Sequence, residues 1–312
     1  MISCTDFIAS YSELFTYLDD HYGHDEVKRF WTYLFEPDGK GIPLIHFVME
    51  KGLRGCWEYW SGTLKEEAAD VDMYLNEKQG WSFSTMFYCP SKGRLLELQK
   101  TTDIIPYYDY CGHCDYYRSA FEKVGLKWIR NHIHVDEASC SSVIYDPKVF
   151  DGPMVMDENT EVIRYRAREL PYFHRDFHSS LNMGIEYLGK VHGKEALEEY
   201  LELYTKHAYA KRFRGKENQG LSEIETFIRE TYEKERASEV LNLKKTDSEL
   251  HVHVDYCPAV RHLHETGRTV SFWFPFTTTV VMQTLADMLK VQFTMERYIE
   301  ETGEADYSFR QE

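Results

Sequence analysis

The chain lacks an uninterrupted apolar run. Its most apolar stretch, Thr269 to Leu285, is broken by Pro275 and several threonines, whereas a membrane span needs about 20 mostly apolar residues. The opening segment MISCTDFIAS has no basic stretch followed by an apolar core, so no signal peptide is expected. Positive charge is scarce as well: 36 Lys and Arg stand against 52 Asp and Glu, leaving a net charge of −16. That balance argues against a nucleic-acid or anionic-membrane surface, because phosphate binding needs clustered cations. Seven cysteines in 312 residues is an odd and sparse count. It does not read as a secreted disulfide framework and points to a reducing, cytoplasmic setting. With 43% hydrophobic and 15% aromatic residues, there is enough apolar material for a core in each of about two domains.

Internal repetition organises the sequence. Tyr11 to Leu34 and Leu181 to Tyr204 are both amphipathic helical patterns interrupted by a glycine, Gly23 and Gly193. FYCPSKGRLLEL from Phe87 matches DYCPAVRHLHET from Asp255, and Ala120 to Tyr145 matches Leu285 to Arg310 in length and helix-then-strand character. Three landmarks in one order, 168 to 170 residues apart where they can be matched residue to residue, imply two divergent copies. The join falls in Asp146 to Arg168, which holds Pro147, Gly152, Pro153 and a polar run. The expected division is 1–150 and 169–312, with 151–168 as linker. Each copy reads as a helical pair, a charged helix (Ser61 to Glu77; Ser222 to Leu241), a strand (Ser82 to Tyr88; Glu249 to Tyr256), a helix opened by Cys-Pro, and a closing strand–helix–strand run. That order predicts an α+β fold with small antiparallel sheets.

Two histidine pairs belong to the second copy only. In ELHVHVDY, alternation places His251, His253 and Asp255 on one strand face, and Leu250, Val252 and Val254 on the other. In PYFHRDFHSS, His174 and His178 are four apart, the spacing that puts two imidazoles on one helix face. Convergence of the four would hold a divalent Zn, Mn or Fe ion, with Cys257 as a further ligand or wall. Asp255, or else Glu265, would be the general base. His262 and His264 are two apart on a predicted helix and cannot both face one ion.

The first copy carries a different constellation: Cys89, Cys111-Gly112-His113-Cys114, and Cys140. These four cysteines could form a second, soft metal site, a redox centre, or a set of buried thiols.

The order Cys89-Pro90, then Cys111-x-x-Cys114-Asp115, a helix, and Cys140 in a closing strand resembles the L-2-amino-thiazoline-4-carboxylic acid hydrolase-like family. More distantly it resembles the vinyl-4-reductase type of small ligand-binding domain. The resemblance implies an α+β unit that holds a small ligand and opens a small heterocycle by hydrolysis. The second copy departs from it, with Phe274 to Thr279 where the paired cysteines would stand. The expected function is a metal-dependent, cyclohydrolase-like enzyme acting on a C–N heterocycle or a cyclic 1,3-diketone, with a small molecule as its partner. The alternative is a non-catalytic small-ligand or metal sensor.

Overall fold

The computed structural model describes residues 1–35 and 44–311, without the side chain of residue 132. The chain is α+β. Its helices are α1 (Phe7–Tyr22), α2 (His24–Phe35), α3 (Leu44–Glu66), α4 (Pro90–Thr101), α5 (Arg118–Lys123), α6 (Phe177–Val191), α7 (Lys194–Phe213), α8 (Gly220–Lys234), α9 (Pro258–Glu265) and α10 (Phe276–Leu289). Its strands are β1 (Asp70–Asn76), β2 (Trp81–Tyr88), β3 (Lys127–His134), β4 (Ser139–Tyr145), β5 (Glu161–Tyr165), β6 (Leu241–Lys245), β7 (Glu249–Val254), β8 (Val291–Ile299) and β9 (Glu304–Gln311). No helix among the described residues is long and apolar enough to cross a membrane.

Two compact units result, and they are not the two halves of the sequence. A middle unit comprises Leu18–Glu97 and Pro106–His174. A terminal unit comprises Met1–Tyr17, Leu98–Ile105 and Arg175–Glu312. The division therefore differs from the expected 1–150 and 169–312: the first 17 residues belong with the C-terminal portion, and His174 belongs with the middle one. Nor is 151–168 all linker. β5 lies inside it and hydrogen-bonds to β1, with Met73 opposite Ile163.

The middle unit holds an antiparallel sheet in the order β3-β4-β2-β1-β5. Val71, Met73 and Leu75 alternate inward along β1 and meet Val48, Leu53, Cys56, Trp57 and Leu64 of α3, with Phe121, Leu126 and Trp128 beside them. The predicted helix Ser61 to Glu77 is corrected here: α3 stops at Glu66, and Ala68 turns the chain at φ 54. The next element is the strand β1, because its apolar residues recur with period two and not 3.6.

The terminal unit holds an antiparallel sheet in the order β6-β7-β9-β8. Leu250, Val252 and Val254 of β7 are buried with Ala305, Tyr307 and Phe309 of β9. Matched through the sequence repeat, this order is that of β1, β2, β4 and β3. The helix before each sheet also ends in the same way. Ala69 N–H reaches Leu64 O at 3.0 Å, and Ala237 N–H reaches Tyr232 O at 2.9 Å, around left-handed Ala68 and Arg236.

Gly303 shows how tightly the β8–β9 turn sits on α9. It has φ +66, and a Cβ there would lie 2.3 Å from the Cβ of Cys257. Gly303→Ala combines left-handed strain with overpacking, so it is expected to cost about 2–4 kcal/mol, read as a lower urea midpoint at unchanged slope.

Candidate functional site

Among the described residues, no three of His174, His178, His251 and His253 have ligand atoms within 4.8 Å of one another. His251 and His253 lie on one face of β7, as alternation requires. There His253 holds Asp306 at 2.6 Å through Nδ1 and Asp255 at 3.1 Å through Nε2. His251 Nε2 is 3.1 Å from Glu249. Both imidazoles are partly exposed and already paired with carboxylates. His174 precedes α6 and is not on it, so the i, i+4 relation with His178 fails. Its Nδ1 bonds Glu66 at 2.7 Å in the middle unit, while His178 is fully buried in the terminal unit.

The other expected site residues are likewise engaged. Asp255 accepts from His253. Glu265 accepts from Arg261 at 2.8 Å on the surface of α9. Cys257 is buried at the start of α9 with its Sγ 3.2 Å from Met1 Sδ. His251→Ala and His253→Ala are therefore expected to leave bound metal per chain, read by elemental analysis, at the wild-type value.

Among the described residues, one group has three metal-capable side chains with ligand atoms within 4.8 Å of one another: Cys4, His178 and Glu235. All three are buried. Glu235 follows α8 and receives the Cys4 amide at 2.6 Å and His178 Nε2 at 2.9 Å. Burial pushes its carboxyl up, but His178, the Cys4 amide and the Ser3 hydroxyl outweigh this and hold it at about 2. The Cys4 thiol is pushed well above its usual range by burial and by Glu235. His178 Nδ1 is buried and unpaired. Glu235 and Glu67 are 168 residues apart, as are Cys257 and Cys89, but neither acid stands in a local pattern that marks it out.

The four cysteines of the first copy do gather in the middle unit. Cys89 sits where β2 passes into α4, Cys111 and Cys114 lie on the 3-10 turn Tyr110–Tyr117, and Cys140 is on β4 opposite Met86. Burial raises all four thiols, with Cys111, Cys114 and Cys140 at about 11 and Cys89 higher still. Cys114 acts electrostatically on each of the other three. No three of these sulfurs lie within 4.8 Å of one another, as the Cys4 group's ligand atoms do.

Cations face these thiols. Arg130 of β3 donates to the Cys111 carbonyl at 2.7 Å and to Asp115 at 3.0 Å, and its charge draws the Cys114 thiol down against burial. Lys92, on the first turns of α4, is only 5% exposed. Its charge acts on Cys111, yet its ammonium has no hydrogen-bond or ion-pair partner among the described residues.

No family model, curated protein or solved structure matches the chain.

The protonation of His113 follows from its contacts. Nδ1 is in short contact with the Tyr110 carbonyl, which can only accept, so Nδ1 carries the hydrogen. Nε2 is then the lone-pair nitrogen, 3.7 Å from Cys114 Sγ. Burial lowers this imidazole to about 4, so the pair rests as neutral thiol and neutral imidazole. Glu67, just past α3, completes the cluster. Burial raises its carboxyl, while His174, Arg94 and His113 pull it down. It makes no side-chain hydrogen bond among the described residues.

Proposed function

We propose that the chain is a hydrolase that opens a small ring, with its chemistry in the middle unit at Cys114 and His113. The observation that carries this reading is the tautomer of His113: a lone pair held towards a thiol, with the other ring nitrogen committed to a carbonyl. That is the arrangement in which an imidazole takes the proton of a nucleophile.

As sulfur bonds to the ring carbon of a C=N or C=O group, the thiol proton passes to His113 Nε2. The displaced π pair goes to the nitrogen or oxygen of that group. Arg130 and Lys92 offset the negative charge that develops there. When this pair returns to re-form the double bond, the ring bond from the attacked carbon to its leaving ring atom breaks, and the bond pair departs with that atom. Glu67, whose raised carboxyl keeps its proton closer to neutral pH, gives that proton to the leaving atom. Water, deprotonated by the Glu67 carboxylate, then adds to the same carbon, the Cys114 sulfur leaves as thiolate, and the proton on His113 returns to it. The resemblance to the thiazoline hydrolase-like family supports the substrate class, and unpaired Lys92 supplies a partner for a ring carboxylate. Unpaired Glu67 favours an enzyme over a passive sensor, which needs no acid or base.

The test is incubation of the purified protein with 2-amino-thiazoline-4-carboxylate and with a cyclic 1,3-diketone, following the ring-opened product by mass spectrometry. Turnover that Cys114→Ser removes supports the reading. Turnover by neither substrate, or equal turnover by the variant, overturns it.

A second reading keeps the divalent ion, and the proximity of the Cys4, His178 and Glu235 ligand atoms favours it. Cys4 as thiolate and Glu235 as carboxylate would balance the charge of one zinc ion. One equivalent of zinc surviving gel filtration, and lost in Glu235→Gln, supports that reading. Metal-free wild-type protein removes it.

A further inference from the structure

Matched through the repeat, Cys4 corresponds to His174, Phe7 to Phe177, Glu67 to Glu235 and Cys89 to Cys257. The segment that leads into the first copy lies in the same compact unit as the body of the second. Cys4 N–H binds Glu235 at 2.6 Å, and Phe7 stacks on Phe177 with centroids 4.7 Å apart. The segment that leads into the second copy lies in the same compact unit as the body of the first. Tyr172 carries the Arg94 guanidinium at 3.2 Å from its ring centroid. Phe173 N–H binds Glu66 O at 2.9 Å, and His174 Nδ1 binds the Glu66 carboxylate at 2.7 Å.

Each leading segment thus serves the carboxylate region of the other copy. The stacking of Phe7 on its own repeat equivalent is what a self-complementary contact between two copies produces. Along the same interface Ser10, Tyr11 and Leu14 share a packing gap with their equivalents Ser180, Leu181 and Gly184.

We infer that the chain is the fused form of an intertwined pair, in which the two copies exchange their leading segments. The exchange makes each compact unit depend on residues more than 100 positions away in sequence. It also explains why the two carboxylates diverged. Beside Glu235 the borrowed residue supplies its backbone amide and closes the hydrogen-bonding set, while Lys92 and Arg94 are replaced by Val260 and His262. Beside Glu67 the borrowed residue is an imidazole that binds the neighbouring Glu66 and leaves Glu67 free. The exchange does not depend on the hydrolase reading.

Hydrogen-exchange mass spectrometry on the full chain tests the exchange. Phe7→Leu is expected to speed exchange about tenfold in 177–191 and 232–240, leaving 64–70 and 90–97 near wild type. Tyr172→Ala and His174→Ala are expected to do the reverse. Effects confined to each variant's own half of the sequence overturn the exchange, as does uniform loosening by both milder variants, Phe7→Leu and His174→Ala. A crossed exchange pattern in a chain without turnover keeps the intertwined pair and removes only the hydrolase.

Discussion

Cys114→Ser is expected to lower ring-opening at least ~10³-fold while leaving the thermal midpoint nearly unchanged. A hydroxyl fits where the thiol was but is a far weaker nucleophile beside so poor a base. Labelling by iodoacetamide reads the same chemistry without a substrate. With the Cys114 thiol at about 11, the thiolate fraction at pH 8 is roughly 10⁻³. Labelling of this cysteine should therefore be slow at neutral pH and rise about tenfold per pH unit up to that value. Arg130→Gln removes the cation that draws the thiol down, so the rise should begin at still higher pH. Rapid labelling of Cys114 at pH 7, or labelling indifferent to Arg130, would show a thiol activated in some other way. On the hydrolase reading, the neutral resting pair is activated only when substrate binds, and Lys92 and Arg130 are the cations whose charge acts on the Cys111 and Cys114 thiols.

The parts of this architecture legible in the sequence are those encoded by short-range periodicity. Alternation along ELHVHVDY places Leu250, Val252 and Val254 in the core and the histidines on the other face, and Cys-Pro marks the start of both α4 and α9. The gathering of four cysteines was legible too, since they recur at ends of neighbouring elements. What misled was spacing read without its backbone. His174 and His178 have helical spacing, but α6 starts only at Phe177, so the first imidazole turns to Glu66 instead. The acids that matter were not legible at all. Glu67 and Glu235 sit just past charged helices, where a carboxylate is ordinarily solvated, and only closure of the left-handed turn at Ala68 and Arg236 carries them inward. Lys92 reads as an ordinary surface lysine of α4, and β5 is five residues hidden in a polar stretch. Burial of isolated polar groups is decided by tertiary contacts, and no local pattern announces it.

Glu235→Ala is expected to cost 3–5 kcal/mol at pH 7, the usual penalty for removing one partner of a buried pair. His178 would then be buried with both ring nitrogens unpaired, and the Cys4 amide would lose its acceptor. Glu235→Gln keeps the shape and one acceptor oxygen, so it should cost less, and the comparison isolates the charge. The folded carboxyl at about 2 lies below its ordinary value of 4.5. Its contribution is therefore fully present above about pH 4.5 and is lost as pH falls through 2. A shift of this size corresponds to about 3 kcal/mol. Urea denaturation at pH 7 and pH 3 should accordingly show a gap between wild type and Glu235→Gln that is wide at the higher pH and narrows at the lower. An equal gap at both values would mean that the carboxylate contributes by shape alone. Chelator treatment separates the ion pair from a metal site at the same residues. If Cys4, His178 and Glu235 hold zinc, chelation lowers wild-type stability at pH 7 and leaves Glu235→Gln untouched. If the His178–Glu235 pair stands by itself, both proteins are indifferent to the chelator and only the pH gap remains.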